Sequence, residues 1–180
     1  MAATPKMPML GVAVAAISLV VDQLSKYIIV EKVMRPEGVM GTPYLTEKVI
    51  EVLPIFNLRL SWNAGISFSM FNSGTAATTF ILLAVQVAVS LTLIWWLRSL
   101  DKRWLQVACG LIIGGAIGNI IDRVMFGAVA DFLDFYWGTW HFPTFNGADT
   151  FISIGAGMWL LDAVLAPSHD AASSSQDSKD

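Results

Sequence analysis

Five aspartates dominate the chemistry open to this chain: Asp22, Asp122, Asp131, Asp134 and Asp149 all lie within or beside apolar stretches. Two carboxylates brought close together cannot both ionise cheaply, so one keeps a proton while the other acts as a base. Such a pair can activate water against an amide carbonyl and then protonate the leaving nitrogen, with neither a metal nor a nucleophilic side chain. Rival chemistries lack their residues. Cys109, the single cysteine, excludes an intramolecular disulfide and a cysteine-based zinc cluster. Two histidines, His141 and His169, with no H-E-x-x-H run, disfavour zinc proteolysis and Ser-His-Asp chemistry. Spacing does not choose among the five aspartates, and several pairings stay open.

The elements that must position them are set by composition. Of 180 residues, 55% are hydrophobic and only 14% charged, against roughly 45–50% and about 25% in soluble chains. With a net charge of −3 and a mean hydropathy of +0.61, no basic surface exists to track phosphates, so nucleic acid is excluded as a partner. The solvent for much of the chain is lipid. A helix needs about 20 mainly apolar residues to cross a bilayer, and four stretches qualify, at about 10–30, 76–97, 104–122 and 150–166. Lys6 ahead of the first stretch resembles the start of a cleavable signal peptide, but the apolar run continues past Asp22 without a small-residue cleavage site, so an uncleaved span is expected.

Four spans place both termini on one side. Arg98, Lys102 and Arg103 crowd the turn between spans two and three, which assigns that side to the cytoplasm and loops 31–74 and 123–149 to the outer face. Within the first outer loop, alternation after Lys48 predicts short strands, with Pro54 at a break. The expected fold is thus an all-α membrane bundle of four helices, one integral domain over 1–166, with a small β-containing extracytoplasmic subdomain in the first outer loop. The Ser- and Asp-rich stretch 167–180 reads as a disordered cytoplasmic tail.

Ionisable residues inside spans are functional-site candidates by default. Asp22 and Lys26 stand four apart and can neutralise one another. Asn119 and Arg123 project from one face of span three, behind Gly114, Gly115 and Gly118, whose small size suits close helix packing. The segment 129–149 joins seven aromatic residues to Asp131, Asp134 and Asp149; an interfacial belt explains the rings but not the acids. On composition alone, a small four-span transporter or channel with Asp22, Lys26 and Arg123 along a polar path fits as well.

Five elements in order carry a resemblance. Asp22, Gln23 and Lys26 match D-Q-x-x-K; Asn63, Gly65 and Phe68 match N-x-G-x-x-F-S; Gly118, Asn119, Asp122 and Arg123 match G-N-x-x-D-R; Val129, Asp131 and Phe132 match V-x-D-F; Phe145, Asn146, Ala148 and Asp149 match F-N-x-A-D. Together, over about residues 10–165, the chain resembles the lipoprotein signal peptidases, or signal peptidase II, of bacterial inner membranes. That resemblance implies an aspartic endopeptidase without metal or cofactor, with Asp131 and Asp149 as the catalytic pair. It implies a substrate cleft lined by Asn63, Gly65, Asn119, Arg123 and Asn146, shaped by Asp22 and Lys26, and leaves Asp134 to surface or supporting duty. It further implies prolipoprotein substrates cut before a diacylglyceryl-modified cysteine, membrane lipids as surroundings, and inhibition by globomycin. Two departures stand out: Gly147, where the family carries an aliphatic residue, and the pair Ile66-Ser67 before Phe68.

Overall fold

A computed structural model describes residues 8–65 and 76–165. Four helices in it are long and apolar enough to cross a membrane. Helix α1 spans Met9–Tyr27 and runs on as a π-helical stretch, Ile28–Met34; α2 spans Ala76–Leu97, α3 Arg103–Phe126 and α4 Gly147–Leu165. Strands β1 (Val49–Leu53), β2 (Phe56–Asn63), β3 (Val129–Trp137) and β4 (Trp140–His141) form one antiparallel sheet in sequence order.

Two helices outrun their expected limits for physical reasons. The first continues beyond residue 30 because Val30 and Met34 are buried against Tyr44, Leu60 and Ala130 of the loop and sheet. The third passes Asp122 because that carboxylate and Arg123 are buried with partners, so neither forces the helix to end. It stops at Gly127, whose φ of +73° lets its N–H close back on the Arg123 carbonyl at 3.0 Å. A left-handed residue there is cheap only for glycine, and β3 starts two residues later.

Helix α3 is central. Half of its apolar window is buried, whereas the other three spans expose most of theirs. Small residues permit this. A side-chain carbon on Gly110 would meet the Gly11 carbonyl of α1 at 2.5 Å, and one on Gly115 would meet the Ala148 carbonyl of α4 at 2.5 Å. Gly114 abuts Ser18 and Ala15 of α1 in the same way. Backbones that approach this closely gain dispersion contacts that lipid would not otherwise favour over its own.

The sheet exceeds the loop between the first two helices. Strands β1 and β2 are the expected hairpin, turning at Pro54-Ile55, but β3 and β4 come from the second loop, where sequence suggested an aromatic belt. The strand pattern was hidden because the first four residues of β3 are all buried, which erases the alternation of a one-sided strand. Phe68, the Ile66-Ser67 pair and the stretch 167–180 lie outside the described residues.

Candidate active site

The site forms where the sheet meets the helices. Register pairs Ser61 with Asp131 and Asn63 with Val129 across β2 and β3, so Asn63 Nδ2 donates to Asp131 Oδ2 at 3.0 Å. Residues 68 apart in sequence thereby meet. Asp149 arrives from the first turn of α4. Its backbone N–H donates to Asn146 Oδ1 at 3.0 Å, and its own Oδ2 accepts the Asn146 N–H at 3.3 Å. This reciprocal arrangement satisfies donors that a helix start leaves open.

Both carboxylates are held by N–H donors. Asn146 Nδ2 donates to Asp131 Oδ1 at 2.7 Å, and Asn119 Nδ2 donates to Asp149 Oδ1 at 2.8 Å. The two asparagines also touch, Asn146 Nδ2 lying 3.3 Å from Asn119 Oδ1. Asp131 is 1% exposed. Burial pushes its carboxyl from 3.8 up to about 7, the Asp149 charge adds to the rise, and Asn63, Asn146 and Lys26 oppose it. A carboxyl poised near neutrality in a cavity can exchange protons with a bound reactant.

That cavity, of about 140 Å³, is lined by Asp131, Asp149, Asn63, Asn119, Arg123 and Gln86, with Leu82 and Val129. Arg123 faces the carboxylates from α3. Its guanidinium donates to the Gly65 carbonyl at 3.2 Å and to Gln86 Oε1 at 3.2 Å, while its buried Nε–H has no acceptor among the described residues. The arrangement offers two acids and a cation around a space the size of a peptide group with attendant water. Among the described residues, no three His, Cys, Asp or Glu side chains gather as a metal would require.

A sequence model of the family described as signal peptidase (SPase) II matches residues 14–165. The chain belongs to the signal peptidase II family. Lipoprotein signal peptidases resemble it closely: that of Vibrio cholerae is 44% identical over 119 residues, covering 65% of this chain and 70% of the relative. That of Aeromonas hydrophila is 41% identical over 150 residues, covering 82% and 84%. A solved bacterial membrane enzyme structure, determined by the in meso method, superposes with a TM-score of 0.69 at 25% identity, covering 88% of this chain and 92% of that one. A signal peptidase II is a peptidase, so the transporter reading falls away.

Within this signal peptidase II fold the residues named from sequence divide in two. Asp131, Asp149, Asn63, Asn119 and Arg123 line the cavity, with Asn146 and Gly65 directly bonded to members of that set. Asp22 and Lys26 stand behind it. Lys26 Nζ is buried between Asp22 Oδ2 and Asp122 Oδ2, at 2.9 Å from each. Asp22 Oδ1 accepts the Ala148 N–H at 2.8 Å, just ahead of Asp149. Gly147 lies against Asp22, where an added side-chain carbon would make only ordinary contact at 3.4 Å. Asp134 is not on the surface: it is 1% exposed and paired with His141 Nδ1 at 2.9 Å.

Gln86 escaped the sequence reading, and Gln23 was named there only within the D-Q-x-x-K element, without a role of its own. Gln86 is a lone amide in the apolar run of α2, and a polar residue in a span was the signal that marked it. Gln23 Nε2 bridges Asp22 Oδ2 at 3.1 Å and Asp122 Oδ1 at 3.2 Å.

Proposed function

We propose that this membrane peptidase is an aspartic endopeptidase that removes signal peptides from prolipoproteins, with Asp131 and Asp149 as its catalytic pair. The observation that carries the reading is two carboxylates on one buried cavity, each held only by N–H donors among the described residues. Near neutrality the pair shares one proton, and its apparent ionisations belong to both groups. The ionised member takes a proton from water as the water oxygen bonds to the scissile carbonyl carbon; the protonated member gives its proton to the carbonyl oxygen. The tetrahedral gem-diol then collapses: one hydroxyl gives its proton to the ionised member as the C=O re-forms, the C–N bond breaks, and the protonated member gives its proton to the leaving nitrogen, so the pair again holds one proton. Arg123, whose side chain lines the cavity, orients the substrate backbone by donating to a carbonyl.

The bond cut is the one before a diacylglyceryl-modified cysteine. A substrate that is itself a membrane span bearing a lipid needs a site at the bilayer boundary. The sheet and the cavity sit at the end of the bundle opposite the basic 98–103 turn, where Lys102 pairs with Asp162 of α4. With basic residues inside, the site faces outward from the bacterial inner membrane and both termini lie in the cytoplasm.

The test uses the purified full chain and a precursor carrying the diacylglyceryl cysteine. Asp131→Asn and Asp149→Asn are each expected to fold and insert yet lose cleavage by at least about a thousandfold, as removal of one member of a catalytic unit does. Cleavage at the wild-type rate by either variant refutes the pair. Globomycin is expected to stop cleavage by the wild type.

A further inference from the structure

A carboxamide can turn either its oxygen or its NH₂ toward a carboxylate, and only the NH₂ stabilises the anion. Asn119 and Asn146 both present NH₂, to Asp149 and Asp131 respectively. Asn146 is turned by the Asp149 N–H that its Oδ1 accepts; for Asn119 the reason lies outside the cavity. Asn119 Oδ1 accepts from Lys26 Nζ at 3.0 Å as well as from Asn146 Nδ2. An ammonium has three donors and no acceptor. It tolerates the oxygen of Asn119 and rejects the flipped amide.

Lys26 does not line the cavity and its ion pairs are with Asp22 and Asp122, not with the two cavity acids; it is 5% exposed and clamped between its two partners. The clamp is itself fitted. An added side-chain carbon at Gly118 would collide with Asp22 Oδ2, so glycine one residue before Asn119 makes room for the carboxylate that holds the lysine. The chain of contacts runs from Gly118 to Asp22, to Lys26, to Asn119, and from there to Asp149 directly and to Asp131 through Asn146.

We infer that Lys26 is a positioning residue rather than a substrate contact: its ammonium fixes the amide orientation of Asn119, so that Asp149 faces the Asn119 NH₂. Without it, Asn119 is free to turn its oxygen on Asp149, while Asn146 stays oriented by the Asp149 N–H that its own Oδ1 accepts at 3.0 Å. The inference rests on reading Asp131 and Asp149 as the reacting pair.

The experiment keeps the buried charge constant by combining Lys26→Met with Asp122→Asn in the full chain, since the two changes remove one positive and one negative charge. This variant is expected to fold, to hold KM within about twofold of wild type, and to lose kcat by about tenfold or more. Adding Asn119→Ala to it is expected to cost less than about threefold further, although Asn119→Ala alone costs about as much as the lysine variant, because partners in one chain of contacts are not additive. Wild-type kcat, a loss carried by KM, or losses that multiply with Asn119→Ala would each overturn the assignment. So would failure of the charge-balanced variant to fold, which makes Lys26 a scaffold residue. If Asp131→Asn or Asp149→Asn still cleaves, the underlying pair is wrong; if both are dead and the lysine variant keeps kcat, only the positioning role is wrong.

Discussion

Asp131 holds its proton against an unfolded value of 3.8 because burial penalises its anion, and the folded value is about 7. The native chain therefore binds a proton that the unfolded chain has released, in the window between those values. For an acid raised in this way, stability is fullest below the window and declines as pH rises through it. Asp131→Asn removes that decline. Thermal unfolding in detergent at about pH 5 and about pH 8 is expected to show the wild type losing melting temperature at the higher pH and the asparagine variant losing less. The same ionisation predicts an alkaline limb near 7 in kcat/KM, where the pair gives up its shared proton; a rate that is flat through neutrality would refute it. Ordered motifs made Asp131 and Asp149 legible from sequence as members of a family. Asp134 was not legible, because its partner His141 stands across the turn at Gly138, and a pairing of that kind depends on a hairpin that the aromatic run concealed.

At the scale of elements, α3 decides where the chemistry sits, since it presents Gly110 and Gly114 to α1, Gly115 to α4, and Asn119 and Arg123 to the cavity. Gly114 and Gly115 were read from sequence as packing residues, and the structure adds Gly110 and which backbone each one meets. Gly114→Val has Ser18 Oγ and the Ala15 carbonyl in its way, and a helix backbone cannot yield as a side chain does. Overpacking of this kind costs about 1–3 kcal/mol. Gly157 of α4 meets nothing within 4 Å, so Gly157→Ala is expected to be neutral or to gain up to about 1 kcal/mol from helix propensity. Melting both variants in the same detergent separates packing from propensity; equal effects would contradict the interface. The extent of the sheet was the least legible feature. Strand β2 buries Asn57 and Leu60, three apart around an irregularity in its pairing with β3, and β3 is covered on both sides at its start and aromatic at its end, so its period of two never shows in the sequence.

For the whole molecule, the two ends of the bundle carry aromatic rings that the described core does not bury. Trp95, Trp96 and Trp104 lie at the end bearing the basic turn; Trp137, Trp140 and Phe142 lie at the sheet end. Between them the exposed residues of α1, α2 and α4 are largely aliphatic, including Val20, Leu24, Ile81, Val85, Leu160 and Val164. Such surfaces would aggregate in water; in a bilayer they form an apolar band between two aromatic girdles, the pattern of a spanning protein. The girdle at the sheet end has a second consequence. Trp137 and Trp140 are paired across the β3–β4 turn, and the strands behind them lead straight to Asp131 and toward Asp149. Rings seated at headgroup depth would then set the height of the cavity relative to the lipid-bearing precursor proposed above. Replacing both tryptophans with alanine is expected to raise KM for a membrane-borne precursor by roughly threefold or more while kcat holds, since the change removes binding geometry and leaves the reacting groups alone. Brominated lipids should quench Trp137 and Trp140 most strongly when the bromine sits just below the headgroups. An unchanged KM, or strongest quenching by bromine at the bilayer centre, would show that the hairpin does not set the depth of the site.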